Sequence, residues 1–128
     1  MIQEAYVSFE TAKLLKKKGF NEPCDHFYRF DKPKTIYTGT SYRNSEIGDK
    51  QSKVYNTCTQ QMAMRWLREV HNLIIEVRVK HHFRIFDGYY TGIVHLDGDI
   101  HYEYTPNEYL TYEEACEAAI KYCLEHLI

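Results

Sequence analysis

Residues 73–104 read LIIEVRVKHHFRIFDGYYTGIVHLDGDIHYEY. Apolar and charged side chains alternate from residue 75 to residue 80, and this period of two is typical of a strand with one buried face. Asp87-Gly88 and Asp97-Gly98 are dipeptides that favour tight hairpin turns. The stretch therefore predicts three antiparallel strands, over residues 73–86, 89–96 and 99–104.

A helix is predicted on the amino-terminal side of these strands. Thr57 and Gln60 have the spacing of a capping box, and Thr59 is an alternative helix start. Apolar side chains then recur at helical spacing as far as Val70. The helix is expected to end near His71 and Asn72, because the strand pattern begins at Leu73.

A second helix is predicted on the carboxy-terminal side. Pro106 and Asn107 are expected to end the sheet, and Thr111 with Glu114 forms another capping box. An apolar stripe and a row of polar side chains four residues apart continue to residue 127. Residues 57–127 are therefore expected to follow the order α-β-β-β-α.

The amino-terminal residues carry one further helix signal. Ser8 can cap a helix that runs to about Lys18, and Gly19 is a typical left-handed helix stop. Phe20 is then placed to pack back on Leu15, as in a Schellman cap.

The segment after this helix has weaker patterns. Residues 26–30 and 35–38 are predicted to form short strands around a turn at residues 31–34. The polar residues 43–53 are predicted to form an exposed loop. The sequence leaves open whether residues 21–56 belong to the main sheet.

Length and composition bound the fold class. The chain has 128 residues, of which 44% are hydrophobic and 27% charged, and this is ordinary for a globular protein with its own core. We predict a single α+β domain over residues 1–128. Its antiparallel sheet is expected to have three to five strands, with the helices packed on one face.

The compartment is predicted from what the sequence lacks. Residues 1–10 contain two glutamates and no apolar run typical of a secretion signal, and no apolar stretch approaches the roughly 20 residues of a membrane span. The spacing of the four cysteines, Cys24, Cys58, Cys116 and Cys123, matches no zinc or redox motif. We therefore expect a soluble cytoplasmic protein with reduced thiols and no membrane partner.

The charges are unevenly distributed along the chain. The net charge is −2, which excludes a strongly basic nucleic-acid protein and an acidic disordered tail. Residues 1–96 contain 15 Lys plus Arg and 10 Asp plus Glu, a net of +5, whereas residues 97–128 contain one Lys and eight Asp plus Glu, a net of −7. Any anionic partner is therefore expected to use the first helix or the long strand.

Three segments resemble a widespread set of small uncharacterised proteins from phages and mobile elements of gut anaerobic bacteria. They are residues 8–15 (SFETAKLL), 59–71 (TQQMAMRWLREVH) and 112–124 (YEEACEAAIKYCL). The resemblance implies a phage or mobile-element context and implies no particular activity.

The predicted order of residues 57–127 is also similar to that of a double-stranded-RNA-binding domain. That domain is expected to present basic side chains at the start of its second helix, where phosphates meet the helix N-terminus. Here those positions carry Tyr112, Glu113 and Glu114. The carboxylates would repel phosphate, so the topology is expected without the RNA function.

Two groups of residues have the chemistry of a metal or catalytic site. His95, Asp99 and His101 could ligate a metal, but a two-residue turn at Asp97-Gly98 would point the two histidines to opposite sheet faces, and only a bulge would bring them together. Cys24, Asp25 and His26 place a thiol near an imidazole, although no oxyanion-hole glycine motif follows. We therefore predict no catalytic residues, no metal site, no cofactor and no enzyme activity.

Binding is the function that the remaining features favour. The 12 tyrosines are unusually many for this length, and tyrosine is common at binding surfaces. We predict a non-enzymatic protein-binding module of a phage or mobile element, with a homodimer through a sheet edge or an aromatic surface as a further possibility. The alternative is a nucleic-acid or nucleotide binder. Its candidate anion-binding residues are Arg78, Lys80 and Arg84 on the long strand and Lys17 on the first helix.

Overall fold

The computed structural model describes residues 1–46, 53–98 and 100–128. The predicted α+β class with antiparallel sheets is confirmed. The chain divides into two compact units, residues 1–59 and residues 60–128. In the described residues each unit has its own three-stranded sheet, so the strands within residues 21–56 do not join the sheet of residues 73–109.

The first unit begins with helix α1, Phe9–Lys17, and local signals define both of its ends. The hydroxyl of Ser8 accepts a hydrogen bond from the backbone N–H of Thr11. Gly19 has a φ of +94°, and the N–H of Phe20 donates to the carbonyl of Leu15 at 2.9 Å. The predicted helix and its Schellman cap are confirmed.

The sheet of the first unit contains β1 (Cys24–Arg29), β2 (Lys32–Tyr42) and β3 (Val54–Thr57) in the order β2-β1-β3. The two predicted strands exist and are longer than expected, but the predicted turn at residues 31–34 is wrong, because Arg29 pairs with Lys32 and residues 32–34 belong to β2. The strand β3 was not predicted. It has only four residues, and its pairing with β1 is long-range, so no local pattern marks it.

The predicted exposed loop is wrong at its start. Residues Asn44–Glu46 form a short 3₁₀ helix, and Asn44 is buried. Its side chain donates to the carbonyl of Phe20 at 2.9 Å and accepts from the N–H of Asn56 at 3.3 Å, so this polar residue links three segments. Residues 47–52 of the predicted loop lie outside the described residues.

The second unit has the predicted order α-β-β-β-α. Its elements are α2 (Gln60–His71), β4 (Leu73–His82), β5 (Ile85–His95), β6 (His101–Tyr109) and α3 (Tyr112–His126). Thr59 directly precedes α2, so the alternative start is correct. Thr57 belongs to β3, where its hydroxyl donates to the carbonyl of Val7 at 3.1 Å.

The first predicted hairpin turn is wrong. β4 and β5 are connected by Phe83 and Arg84, and His82 pairs with Ile85. Phe83 has a φ of +56°, a conformation that bulky residues rarely adopt. The local sequence therefore does not predict a turn at this position. Asp87 and Gly88 instead lie within β5, where the register of the β4–β5 pair shifts as in a β-bulge.

The second predicted turn is too short. His95 pairs with His101, so residues 96–100 connect β5 to β6, and the two histidines share one sheet face. The strand also continues past Pro106 and Asn107 to Tyr109. The register of the β5–β6 pair shifts between Tyr90 and Gly92 of β5. The edge strand β6 therefore has no regular pairing at Pro106, which cannot donate a backbone hydrogen bond.

Both helices of the second unit cover the same face of its sheet. Leu73, Ile75 and Ile93 point toward them and are at most 9% exposed. The apolar side of α3 is fully buried, including Ala119, Ile120 and their neighbours Cys123 and Leu124. In the described residues of this unit no helix covers the opposite sheet face, on which Tyr102 is 40% and Tyr104 58% exposed.

Candidate functional site

The candidate site is the uncovered face of the second sheet. Strand register places three tyrosines on it. Tyr102 lies across from Val94, Tyr104 across from Gly92, and Tyr90 across from Arg78. We call this surface the tyrosine face. Its members are Ile74, Glu76, Arg78, Lys80, Tyr90, Gly92, Val94, Tyr102, Tyr104 and Glu108.

The three tyrosine rings form one continuous aromatic surface. The ring centroids of Tyr102 and Tyr104 are 4.9 Å apart, and those of Tyr90 and Tyr104 are 6.3 Å apart. A Cβ atom at Gly92 would lie 2.9 Å from Cε1 of Tyr102, so the absent side chain lets the ring lie flat on the sheet. Tyr104 remains 58% exposed and Tyr102 40%.

Arg78 is held against this aromatic surface. Its Nη2 donates to the hydroxyl of Tyr102 at 2.7 Å and to Oε2 of Glu76 at 3.2 Å. The guanidinium carbon lies 5.5 Å from the ring centroid of Tyr102. The hydroxyl of Tyr102 also donates to Glu76. The cation is therefore positioned by a neighbouring carboxylate, which offsets its charge.

Lys80 is paired twice. Its Nζ donates to Oε1 of Glu108 at 2.6 Å and lies 3.7 Å from Oδ2 of Asp87. The hydrogen bond to Glu108 is the main reason that the pKa of Lys80 is raised. Glu108 belongs to the acidic end of the sequence, yet the pairing of β5 with β6 brings it to the basic strand. The charge segregation along the chain is therefore not preserved in space.

The four predicted anion-binding residues do not form one cluster on the second sheet. Arg78 and Lys80 lie on the tyrosine face, whereas Arg84 lies in the hairpin turn after β4. Lys17 is exposed in the last turn of α1, in the first unit. Arg84 makes no ion pair with a carboxylate in the described part of the chain.

Cys24 and His26, which the sequence places close together, do not form an activated nucleophile. Burial, followed by the charges of Asp25 and Glu22, raises the pKa of the Cys24 thiol to about 11. Its Sγ donates to the carbonyl of Glu22 at 3.4 Å, while Nδ1 of His26 lies 2.7 Å from Oδ1 of Asp25. The geometry leaves the sulfur protonated near neutral pH.

This burial predicts slow thiol chemistry. All four cysteines are free and buried, and burial also raises the pKa of Cys123 to about 12. We expect the native protein near pH 7 to react with a thiol-exchange reagent on the order of a hundredfold more slowly than the denatured protein. The absorbance change measures this ratio. A rapid burst of one equivalent would contradict the inertness of these thiols.

A polar cluster that the sequence did not reveal lies on the helix-covered face. Glu103 accepts from the hydroxyl of Tyr122 and lies 3.1 Å from Nε2 of His95. The hydrogen bond from Tyr122 and then that from His95 lower the pKa of Glu103, despite partial burial. These hydrogen bonds link β5, β6 and α3, so they hold the helix against the part of the second sheet that contains His95 and Glu103.

The corrected register does not complete a metal site in the described residues. No group of three or more histidine, cysteine, aspartate or glutamate side chains in that part of the chain has the geometry to hold a metal ion. Asp99, the third residue of the group considered with His95 and His101, lies outside the described residues.

The start of α3 has the features that its sequence indicated. Thr111 caps the helix by accepting from the N–H of Glu114, and Glu113 and Glu114 are exposed in the first turn. These carboxylates favour the helix and oppose a phosphate at its N-terminus. The order α-β-β-β-α is therefore present with an acidic helix start.

Comparison with family models, curated proteins and solved structures finds no match to this chain. Within the described residues, no helix combines the length and apolar character needed to cross a lipid bilayer.

The sequence marked some members of the tyrosine face and missed others. Alternation along β4 identified Arg78 and Lys80 as outward-facing. Glu108 was missed because the strand was expected to end before Pro106, and no local signal carries β6 across that residue. The exposed aromatic pair Tyr102 and Tyr104, two residues apart, was the available sign of one face.

Proposed function

We propose that this chain is a non-enzymatic protein-binding module and that the tyrosine face is its binding surface. The observation that carries the proposal is the exposed row of Tyr102 and Tyr104 with Arg78 fixed against it. Tyrosine and arginine are enriched where protein partners bind. The tyrosine ring buries much area and loses little conformational entropy, and the arginine guanidinium donates several hydrogen bonds.

The charges on this face support a protein partner over a polyanion. Arg78 is paired with Glu76, and Lys80 with Glu108 and Asp87. A nucleic acid gains affinity chiefly from cations that neutralise its phosphates, and carboxylates beside those cations oppose that gain. The partner that fits is a protein surface with an apolar patch and hydrogen-bonding groups for the tyrosine hydroxyls.

The resemblance of three segments to phage and mobile-element proteins supplies the context of the proposal. The chain would act as an accessory protein in the cytoplasm of the host cell, where it binds a host or phage protein. The alternative function is nucleic-acid or nucleotide binding, which the exposed rings favour because bases stack on tyrosine.

A matched pair of tyrosine variants tests the proposed surface. A partner captured from host lysate would be identified, purified and titrated against the wild type, Tyr104→Ser and Tyr42→Ser. Tyr42 is 50% exposed in the first unit, so it is the control for losing an exposed ring. We expect Tyr104→Ser to raise the dissociation constant at least about tenfold and Tyr42→Ser to leave it unchanged.

Two outcomes would count against this proposal. Equal affinities for the wild type and Tyr104→Ser would remove the tyrosine face from the binding surface. Binding of a single-stranded oligonucleotide at low salt that Tyr104→Ser abolishes would favour the nucleic-acid alternative.

A further inference from the structure

The hairpin between β4 and β5 presents an unusual concentration of exposed apolar side chains. Phe83 is 83% exposed, Ile85 71% and Phe86 55%. Arg84 lies among them in the turn, and residues 81–86 contain no carboxylate. We call residues 83–86 the hairpin tip. Exposed apolar side chains grouped around an arginine are typical of a surface that another protein covers.

A second exposed patch lies at the start of α3. Leu110 is 80% exposed and Tyr112 40%, and the carboxylates of Glu113 and Glu114 are exposed beside them. Neither carboxylate forms an ion pair with a cation in the described part of the chain. We call residues 110–114 the helix-start patch. It is apolar and acidic, whereas the hairpin tip is apolar and basic.

The two patches are neighbours on one molecule. The ring centroid of Phe86 lies 5.2 Å from that of Tyr89, and Tyr89 lies 6.0 Å from Tyr112. The three rings therefore form an aromatic connection between the hairpin tip and the helix-start patch.

We infer that the hairpin tip and the helix-start patch together form a homodimer interface. In a two-fold dimer each contact occurs twice, so a patch and its complement both lie in the interface of each copy. Here the rotation would place the hairpin tip of each copy on the helix-start patch of the other. Arg84 would then meet Glu113 and Glu114 of its partner, while the apolar side chains become buried.

This interface is separate from the tyrosine face and does not depend on its function. Phe83, Ile85 and Phe86 supply the buried apolar area. The opposite charges favour contact between the hairpin tip of one copy and the helix-start patch of the other. Phe83 lies in the turn with its side chain 83% exposed, so it is placed to contribute to this buried area.

Charge reversal tests the inference. Sedimentation equilibrium of the full chain is expected to give twice the chain mass of 15.3 kDa. We expect Arg84→Glu to weaken dimerisation at least about tenfold, and the double change Glu113→Lys with Glu114→Lys to do the same. Combining all three changes is expected to restore the dimer, because all three charges are reversed and the two patches remain complementary.

The control is Lys17→Glu, which reverses an exposed charge in the first unit and is expected to leave the dimer intact. Thermal melting of each variant separates loss of the dimer from loss of folding. A wild-type chain that stays monomeric at high concentration would overturn the inference, as would a triple variant that remains dissociated. A monomer that sediments with phosphatidylglycerol vesicles would also overturn it, in favour of a lipid surface.

Discussion

Ile120→Ala is expected to lower the free energy of unfolding of the second unit by about 4 kcal/mol. Ile120 is fully buried on the apolar side of α3, and truncation of a buried isoleucine typically costs 2–5 kcal/mol because a cavity remains where its methyl groups were. Urea unfolding followed by the fluorescence of Trp66 measures this change, since the chain's single tryptophan lies in α2 and is 6% exposed.

Ile100→Ala is the matched control because Ile100 is 72% exposed in the same unit. We expect its effect to stay within about 0.5 kcal/mol. A loss below about 1 kcal/mol for Ile120→Ala would contradict the packing of α3 on the sheet. The same titration followed by far-ultraviolet circular dichroism tests the predicted single domain, which requires both transitions to coincide.

Gly88→Ala is expected to destabilise the second unit by about 3 kcal/mol. Gly88 has a φ of +113°, which strains any residue with a side chain, and a Cβ there would lie 2.8 Å from the carbonyl oxygen of Tyr109. The obstacle is backbone of β6, so relief requires a shift of the strand. We expect the bulge in β5 and the pairing of Tyr89 with Tyr109 to be disturbed together.

Gly98→Ala separates the two contributions. Gly98 has a φ of +99°, yet nothing lies within 4 Å of a Cβ built there. It is expected to cost only about 1–2 kcal/mol, from backbone strain alone. Urea unfolding of the two variants gives the difference. Equal losses would mean that the close approach of Tyr109 contributes nothing, which would contradict the described bulge.

Local signals were sufficient for the helices. Ser8 bonds to Thr11 and Phe20 bonds to Leu15, so each end of α1 is defined by residues a few positions apart, and the sequence predicted α1 with its cap. Thr111 did the same for the start of α3. Such contacts depend on nearby chain and are therefore readable from sequence.

The turns were harder because tertiary contacts selected them. Asp87-Gly88 has the composition of a hairpin turn, yet the structure uses it as a bulge and turns at Phe83 and Arg84. Gly88 fits both roles, because its φ within β5 is positive and the expected hairpin turn also needs a positive φ at the glycine. Phe83 satisfies no turn preference, so its conformation depends on pairing outside the local window.

Charge pairing on the tyrosine face could not be predicted by counting along the chain. Lys80 and Glu108 are 28 residues apart, and their contact depends on β6 continuing past Pro106. Arg78 and Tyr102 likewise meet only through the strand order β4-β5-β6. The sequence supplied the aromatic and basic residues, whereas the topology determined which cations are neutralised.

Hydrogen exchange of the chain with and without its purified protein partner tests the proposed binding surface most directly. We predict slower exchange on partner binding in residues 74–78 and 101–104, where the backbone carries Arg78, Tyr102 and Tyr104. The first unit, including the region of Tyr42, is expected to keep its exchange rates. Protection confined to the first unit or to α3, with residues 101–104 unchanged, would contradict the assignment of the tyrosine face.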